Sequence, residues 1–251
     1  MDWSELHMTA REAHKAQWEK LKDKPLKDKL IHILTYYWAP ILGVICVISI
    51  AVSWIGNVLF QKEVLLAGYL INATANSSYS GNLTQEFMER QQIDSNEYNV
   101  RLTANAYYSN TDISQGSIQI LESIVVQIAA GDLDFIVTDL ETYPFLSAYY
   151  GDLREVFTEE QLKKYRSSFV YVEKEALDYL LDSKFETTVV LPTYYLDPTD
   201  LQNPIPLGIR LPESCRMTEA YTFHKGDVIL GVVHSSTNIE QLIAFLDFIT
   251  T

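Results

Sequence analysis

From Leu30 to Gln61 the chain carries no formal charge unless His32 is protonated. Within that stretch residues 39–60 (APILGVICVISIAVSWIGNVLF) form an unbroken apolar run. As an α-helix rising about 1.5 Å per residue it would span roughly 33 Å, against a hydrocarbon core about 30 Å thick. The run therefore predicts a helix that crosses a bilayer once. Tyr36, Tyr37 and Trp38 precede it, where amphipathic rings favour the headgroup layer. Pro40 falls in the first turn, where an amide has no helical partner to lose. A cleavable signal peptide has a shorter apolar core close to the first residue and a small-residue cleavage site; this run matches neither. Cys46 follows Ile45 in mid-run, which is not the small residue that a lipoprotein signal places before its acylated cysteine.

Lysine placement predicts the orientation. Lys20, Lys22, Lys24, Lys27 and Lys29 precede the run, while Lys62 stands almost alone after it. Positive charge is retained on the cytoplasmic side, so the expected arrangement has residues 1–35 as a cytoplasmic juxtamembrane segment and 36–61 as the transmembrane helix. Residues 62–251 are then expected to form an extracytoplasmic domain of a cell-membrane protein. The leader reads as a polar helix broken around Pro25. Its Lys/Asp alternation leaves little net charge for anionic lipid, which favours a solvated, topology-setting tail over a partner-binding helix.

The charge of the outer part excludes one class of partner. The chain has 19 Lys and Arg against 33 Asp and Glu; residues 1–35 hold seven and six, leaving 12 and 27, a net charge of −15. Nucleic-acid binding needs Lys/Arg to displace counterions from phosphates, so no nucleic acid is expected. About 190 residues suffice for one domain with its own core. Cys46 and Cys215 cannot bridge, since one lies in the apolar run. Without a C-x-x-C or Cys/His cluster, no structural zinc and no cofactor are expected.

Along the outer domain, 64–71 (VLLAGYLI) has strand length and 72–82 is a loop rich in Asn, Ser and Gly. Phe87, Met88 and Ile93 mark a short helix, and 99–106 (NVRLTANA) alternates with period two, as a half-buried strand does. Residues 117–130 place Ile118, Leu121, Ile124, Val125 and Ile128 on one helical face, ended by Gly131. Residues 134–138 (DFIVT) follow as a buried strand. Strands alternating with helices predict βαβ units and a parallel sheet. Further strands are expected at 187–191, 205–211 and 227–233, capping boxes at Thr158/Gln161 and Thr237/Glu240, and a last helix at 239–249. The fold class is α/β.

Residues 120–165 resemble the first lobe of extracellular solute-binding proteins, the type 2 periplasmic-binding fold, with Gly131, Asp132, Asp134, Thr138, Asp139, Leu153 and Phe157 carrying the likeness. The tail 231–249 is similar to that family's returning strand and final helix. The resemblance implies a single three-layer lobe with a parallel or mixed sheet, preceded by one transmembrane helix. Only residues 212–226 separate the expected strands 205–211 and 227–233, far too few for the second lobe with which that family closes on a ligand. The N-terminal half also resembles a group of one-span proteins from Gram-positive anaerobes, through Tyr36, Tyr37 and the strand 64–71. That likeness implies an anchor and no particular activity.

Catalytic frames are missing. His224 and His234, the outer domain's histidines, sit in no G-x-S-x-G or H-E-x-x-H pattern. Asp132, Asp134, Asp139 and Glu141 do not match an EF-hand spacing and read as turn and cap residues. Asn72, Asn76 and Asn82 head N-x-S/T sequons, which would matter on a eukaryotic surface and are only loop composition in a bacterium, the source that the resemblance implies. Ligands of open α/β sheets bind outside the carboxyl ends of strands, and tyrosine supplies contact area at low entropic cost. Tyr107, Tyr108, Thr138, Asp139 and Tyr143 are therefore the expected recognition edge. The expected function is a membrane-anchored, non-enzymatic recognition module that binds a protein partner, or a small ligand weakly, as an accessory to a transporter or surface assembly. The alternative is a structural, oligomerising envelope protein with no ligand.

Overall fold

The computed structural model describes residues 38–59, 62–109, 114–182, 191–224 and 226–251, with single positions at 15, 25, 27 and 35. Beyond those single positions, the expected leader helix lies outside the described residues. So does 187–190 of the expected strand 187–191; Leu191 itself belongs to no strand. The chain forms two compact units, 1–61 and 62–251.

In the first unit, α1 (Trp38–Leu59) is a helix of 22 residues, long and apolar enough to cross a membrane. Among the described residues its apolar window is exposed, Val47, Ile50 and Trp54 included. Such a surface is unfavourable in water by about 25 cal/mol per Å².

The second unit is a mixed α/β domain. Its chain order is β1 (Glu63–Ile71), β2 (Ala73–Ala75), α2 (Leu83–Arg90), β3 (Tyr98–Ala106), α3 (Gln115–Ala130) and β4 (Phe135–Asp139). A 3₁₀ segment at Tyr143–Tyr149 leads to α4 (Leu153–Val156), α5 (Glu159–Tyr165), β5 (Phe169–Glu173), α6 (Lys174–Asp182) and β6 (Tyr194–Tyr195). β7 (Pro204–Arg210), α7 (Arg216–Ala220), β8 (Tyr221–Phe223), β9 (Val228–Val232) and α8 (Ile239–Thr250) complete it.

The main sheet has the order β3-β1-β4-β9-β7-β5-β6, and β2 pairs with β8 in a separate ribbon. β1 is parallel to β3 and β4, whereas every other pairing in the main sheet is antiparallel. The parallel sheet expected from βαβ alternation is thus confined to β1, β3 and β4. Parallel neighbours need crossovers of a dozen or more residues, which α2 and α3 supply. β9 reaches β4 from the far end of the chain and runs against it. Four strands escaped the sequence pattern: β2 inside the expected loop 72–82, the short β6 and β8, and β5, an apolar run (FVYVE) with no polar alternation.

Local signals account for the helix ends. Gly131 closes α3 at φ 74°, in the left-handed region that glycine enters without a Cβ clash. Thr158 and Gln161 form the expected reciprocal cap on α5. The box expected at Thr237/Glu240 does not form. α8 starts after Asn238 with no side-chain cap, and the Asn238 amide donates to Asp134 Oδ1 at 3.1 Å instead.

Strand residues alternate between two buried clusters. Leu66, Leu70, Phe135, Val137, Leu230 and Val232 pack with α2 and with Leu242, Phe245, Leu246 and Ile249 of α8. Tyr69, Ile71, Ile136, Ile229 and Val233 pack with Ile124 and Ile128 of α3 and Leu177 and Leu180 of α6. Each such side chain contributes about 1.5–3 kcal/mol when fully buried. Side chains on both faces of the sheet are therefore buried, and so are Asn72, Ala106 and Asp139 at the carboxyl ends of β1, β3 and β4.

Candidate functional site

From β1 the chain crosses through α2 to β3, then through α3 past β1 to β4 on the other side. Such a reversal of direction opens a crevice at the carboxyl ends of neighbouring strands. Asn72, the residue after β1, fills it. Its backbone sits at φ 56°, a left-handed conformation that asparagine tolerates better than most residues. Its N–H donates to Ala106 O at 2.8 Å, and its carbonyl accepts from His224 N–H at 3.1 Å. Its side-chain Nδ2 donates to Thr142 Oγ1 at 2.9 Å and to Asp139 Oδ2 at 3.3 Å, while Oδ1 accepts from Tyr108 N–H at 2.9 Å. One buried asparagine thus ties together the ends of β1, β3 and β4 and the segment after β8.

The five expected edge residues divide around this node. Asp139 is buried, its Oδ1 accepting from Thr142 N–H at 2.8 Å. Tyr108 is half-buried, its ring 5.9 Å from Phe145, and burial raises its phenol above the ordinary value. Tyr107 is 59% exposed, with its ring edge-on to His224 at 5.9 Å. Thr138 is fully buried, and its hydroxyl has no hydrogen-bond partner among the described residues.

Tyr143 is fully buried too and lies in the interior rather than on the edge. It donates to Leu207 O at 2.8 Å, stacks on Tyr150 and meets Tyr194 edge-on at 4.8 Å. Burial pushes the hydroxyls of all three tyrosines well up. Asn72, Thr142 and His224 complete the site and were not singled out for it from sequence. The available signal was an asparagine directly after a strand, where a left-handed residue often sits.

The sequon asparagines have structural roles. Asn76 Nδ2 donates to Glu219 O at 2.9 Å, and Asn82 caps α2 by accepting from Thr84 and Gln85 N–H. With both hydrogens of its amide engaged, Asn72 is not presented for glycosylation in the folded domain.

Beside the node lies an open groove of about 580 Å³, lined by Leu140, Leu211, Thr218, Tyr221, Phe223 and Asp227 among others. It sits outside the ends of β4 and β7 and the start of β9. Asp227 pairs with Arg210 at 3.5 Å, both partly exposed, a contact worth at most about 1 kcal/mol. The polar groups of the node are hydrogen-bonded to one another. The groove itself combines apolar and ring surface (Leu140, Leu211, Tyr221, Phe223) with carboxylates (Glu213, Asp227) and threonines (Thr218, Thr222).

The acidic run does not converge. Asp134 precedes β4 and Asp139 ends it. Asp134 accepts from Ala67 N–H (2.8 Å), Ser236 Oγ (2.7 Å) and Asn238 Nδ2 (3.1 Å), which clamps β1 to the turn before α8. His224 and His234 lie before and after β9 respectively, and His234 Nδ1 contacts Tyr149 O at 3.0 Å. No family model, curated protein or solved structure matches the chain.

Proposed function

We propose that this chain is a membrane-anchored recognition module. In this reading α1 spans the cell membrane with the N-terminus in the cytoplasm. The outer unit is a three-layer α/β lobe outside the cell that engages a protein partner, as an accessory to a transporter or surface assembly. The five lysines before the apolar run and the covered faces of the sheet support it. So does the partial likeness of residues 120–165 to one lobe of a solute-binding protein.

The observation that carries the reading is Tyr107, an exposed aromatic ring edge-on to His224, on a backbone held by the Asn72 node. Deep pockets bury most of a small ligand's surface; an open edge instead suits a protein surface, where rigid aromatic anchors dominate. Replacing Tyr107 with a photo-crosslinking phenylalanine analogue in cells should give one discrete adduct. The same group at Glu160, in α5, should give none. An identical pattern at both positions would overturn the assignment of the edge.

A second reading, an oligomerising envelope protein, rests on α3. Its exposed side includes Ile118, Val125 and Val126, the last 66% exposed, on a helix whose only charged residue is Glu122. Apolar exposure of this kind marks interaction surfaces. A purified full chain that sediments as a dimer, and as a monomer after Val126→Glu, would favour it.

A further inference from the structure

A second groove, of about 460 Å³, lies where α5 meets β5 and β7. Its volume falls in the range of small-molecule sites, roughly 300–1,000 Å³. Phe169 and Tyr171, 4% and 8% exposed, form its floor together with Leu162, Pro204 and Pro206. Pro204 and Pro206 have no N–H, so β7 presents no backbone donor at those two positions.

The rim reverses the charge of its surroundings. Arg154, Lys163 and Arg166 line it against one carboxylate, Glu159, in a part of the chain whose net charge is −15. Arg154 is held in place: it grips both oxygens of Asp152 and donates to Pro204 O at 3.3 Å. Its charge is therefore spent within the protein. Lys163 and Arg166 take part in no ion pair among the described residues. Three positions apart at the end of α5, they share one side of the chain. Burial raises the Tyr171 hydroxyl; the Arg166 guanidinium beside it pulls the other way, and the Asp197 carboxylate adds to the rise.

We infer that this groove binds a small amphipathic monoanion, an arylalkyl carboxylate whose apolar body lies on Phe169, Tyr171, Pro204 and Pro206 and whose carboxylate meets Lys163 and Arg166. Apolar floor and cationic rim complement the two ends of such a molecule. Neutral or cationic molecules with the same body lack the second contact. The groove shares no lining residue with the one beside Asn72, so this inference and the proposed partner edge stand or fall separately.

The test uses the full chain in zwitterionic micelles and ¹⁹F line broadening of 4-fluorophenylacetate, with empty micelles as the blank. The anion should broaden at millimolar concentration, and 4-fluorophenethylamine, with the same ring and opposite charge, should not. Lys163→Glu with Arg166→Glu should weaken binding at least about tenfold, equivalent to 1.4 kcal/mol. Lys163→Arg with Arg166→Lys should bind within a few-fold of the native chain, and both exposed pairs should leave the melting temperature unchanged. Equal broadening by the amine, undiminished binding in the charge-reversed chain, or no broadening by the anion would each overturn the inference.

Discussion

Gly208 of β7 and Gly231 of β9 face each other across antiparallel strands, and each leaves the space that a tyrosine ring occupies. A Cβ at position 208 would stand 2.8 Å from Cζ of Tyr143, and one at 231 would stand 2.8 Å from Cζ of Tyr150. The two rings stack with centroids 4.5 Å apart and planes 12° from parallel. Glycine inside a strand normally weakens it, unless something must approach the backbone closely. Here Tyr143, which opens the 3₁₀ segment, and Tyr150, which follows it, set their rings over the two glycines.

Gly231→Ala should therefore destabilise the outer domain by about 1–3 kcal/mol, the cost of overpacking a filled core. Urea unfolding of the full chain in micelles, followed by near-ultraviolet circular dichroism, measures it. Adding Tyr150→Leu should recover part of the loss, so that the double variant costs less than the sum of the singles. A native midpoint for Gly231→Ala would contradict the contact.

The two stacked tyrosines should respond oppositely to loss of the hydroxyl. Tyr143→Phe leaves Leu207 O without its buried donor and should cost about 1–3 kcal/mol. The Tyr150 hydroxyl is buried with no partner among the described residues. Tyr150→Phe removes an unsatisfied polar atom and should be neutral or stabilising. Equal destabilisation by both would show that the Tyr150 hydroxyl has a partner.

Stability should fall in alkali. Burial raises Tyr143, Tyr150 and Tyr194 above the ordinary tyrosine value. The folded chain then holds these protons more tightly than the unfolded one. Their contribution is complete below about pH 10 and declines above it, by up to about 1.4 kcal/mol per pH unit for each group. Absorbance near 295 nm should report the three buried phenolates only as the fold is lost. Their ionisation at pH 10 in a chain that keeps its circular dichroism would refute the burial.

Asn72→Asp preserves size and backbone preference but sets a second carboxylate where Nδ2 now meets Asp139 Oδ2 at 3.3 Å. Like charges so close disfavour joint ionisation, and the donor to Asp139 is lost. The variant should be less stable at pH 7 by about 2–4 kcal/mol and should regain part of this as pH falls toward about 4. The pair binds a proton more readily folded than unfolded, so the penalty is relieved in acid. Unfolding midpoints at pH 7 and pH 5 give the comparison, and a loss independent of pH would rule out the electrostatic cause.

The proposed orientation has a direct measurement. Protease added to intact cells after wall removal should degrade the chain beyond about residue 62, leaving α1 and the leader protected. A protected C-terminal part would reverse the topology and move both grooves to the cytoplasmic side.

Features with local causes are legible in the order of residues alone. A run without charge from Leu30 to Gln61 implies α1, because helix rise and bilayer thickness need no other part of the chain. The 3.6-residue period and Gly131 outline α3, and Thr158 with Gln161 marks the start of α5. Features that join residues far apart in the chain emerge only on folding. The antiparallel half of the sheet, β5 among its strands, follows from which strand meets which, and apolar runs do not encode that choice. Asn72 resembled the first residue of a polar loop until folding brought it to Asp139 and Thr142, 67 and 70 positions away. Tyr143 resembled a surface ring near a strand end, yet the gap at Gly208 draws it into the core. Periodicity and caps are written within a few residues, whereas a buried hydrogen bond or an interlocked ring needs both partners in place before either position has meaning.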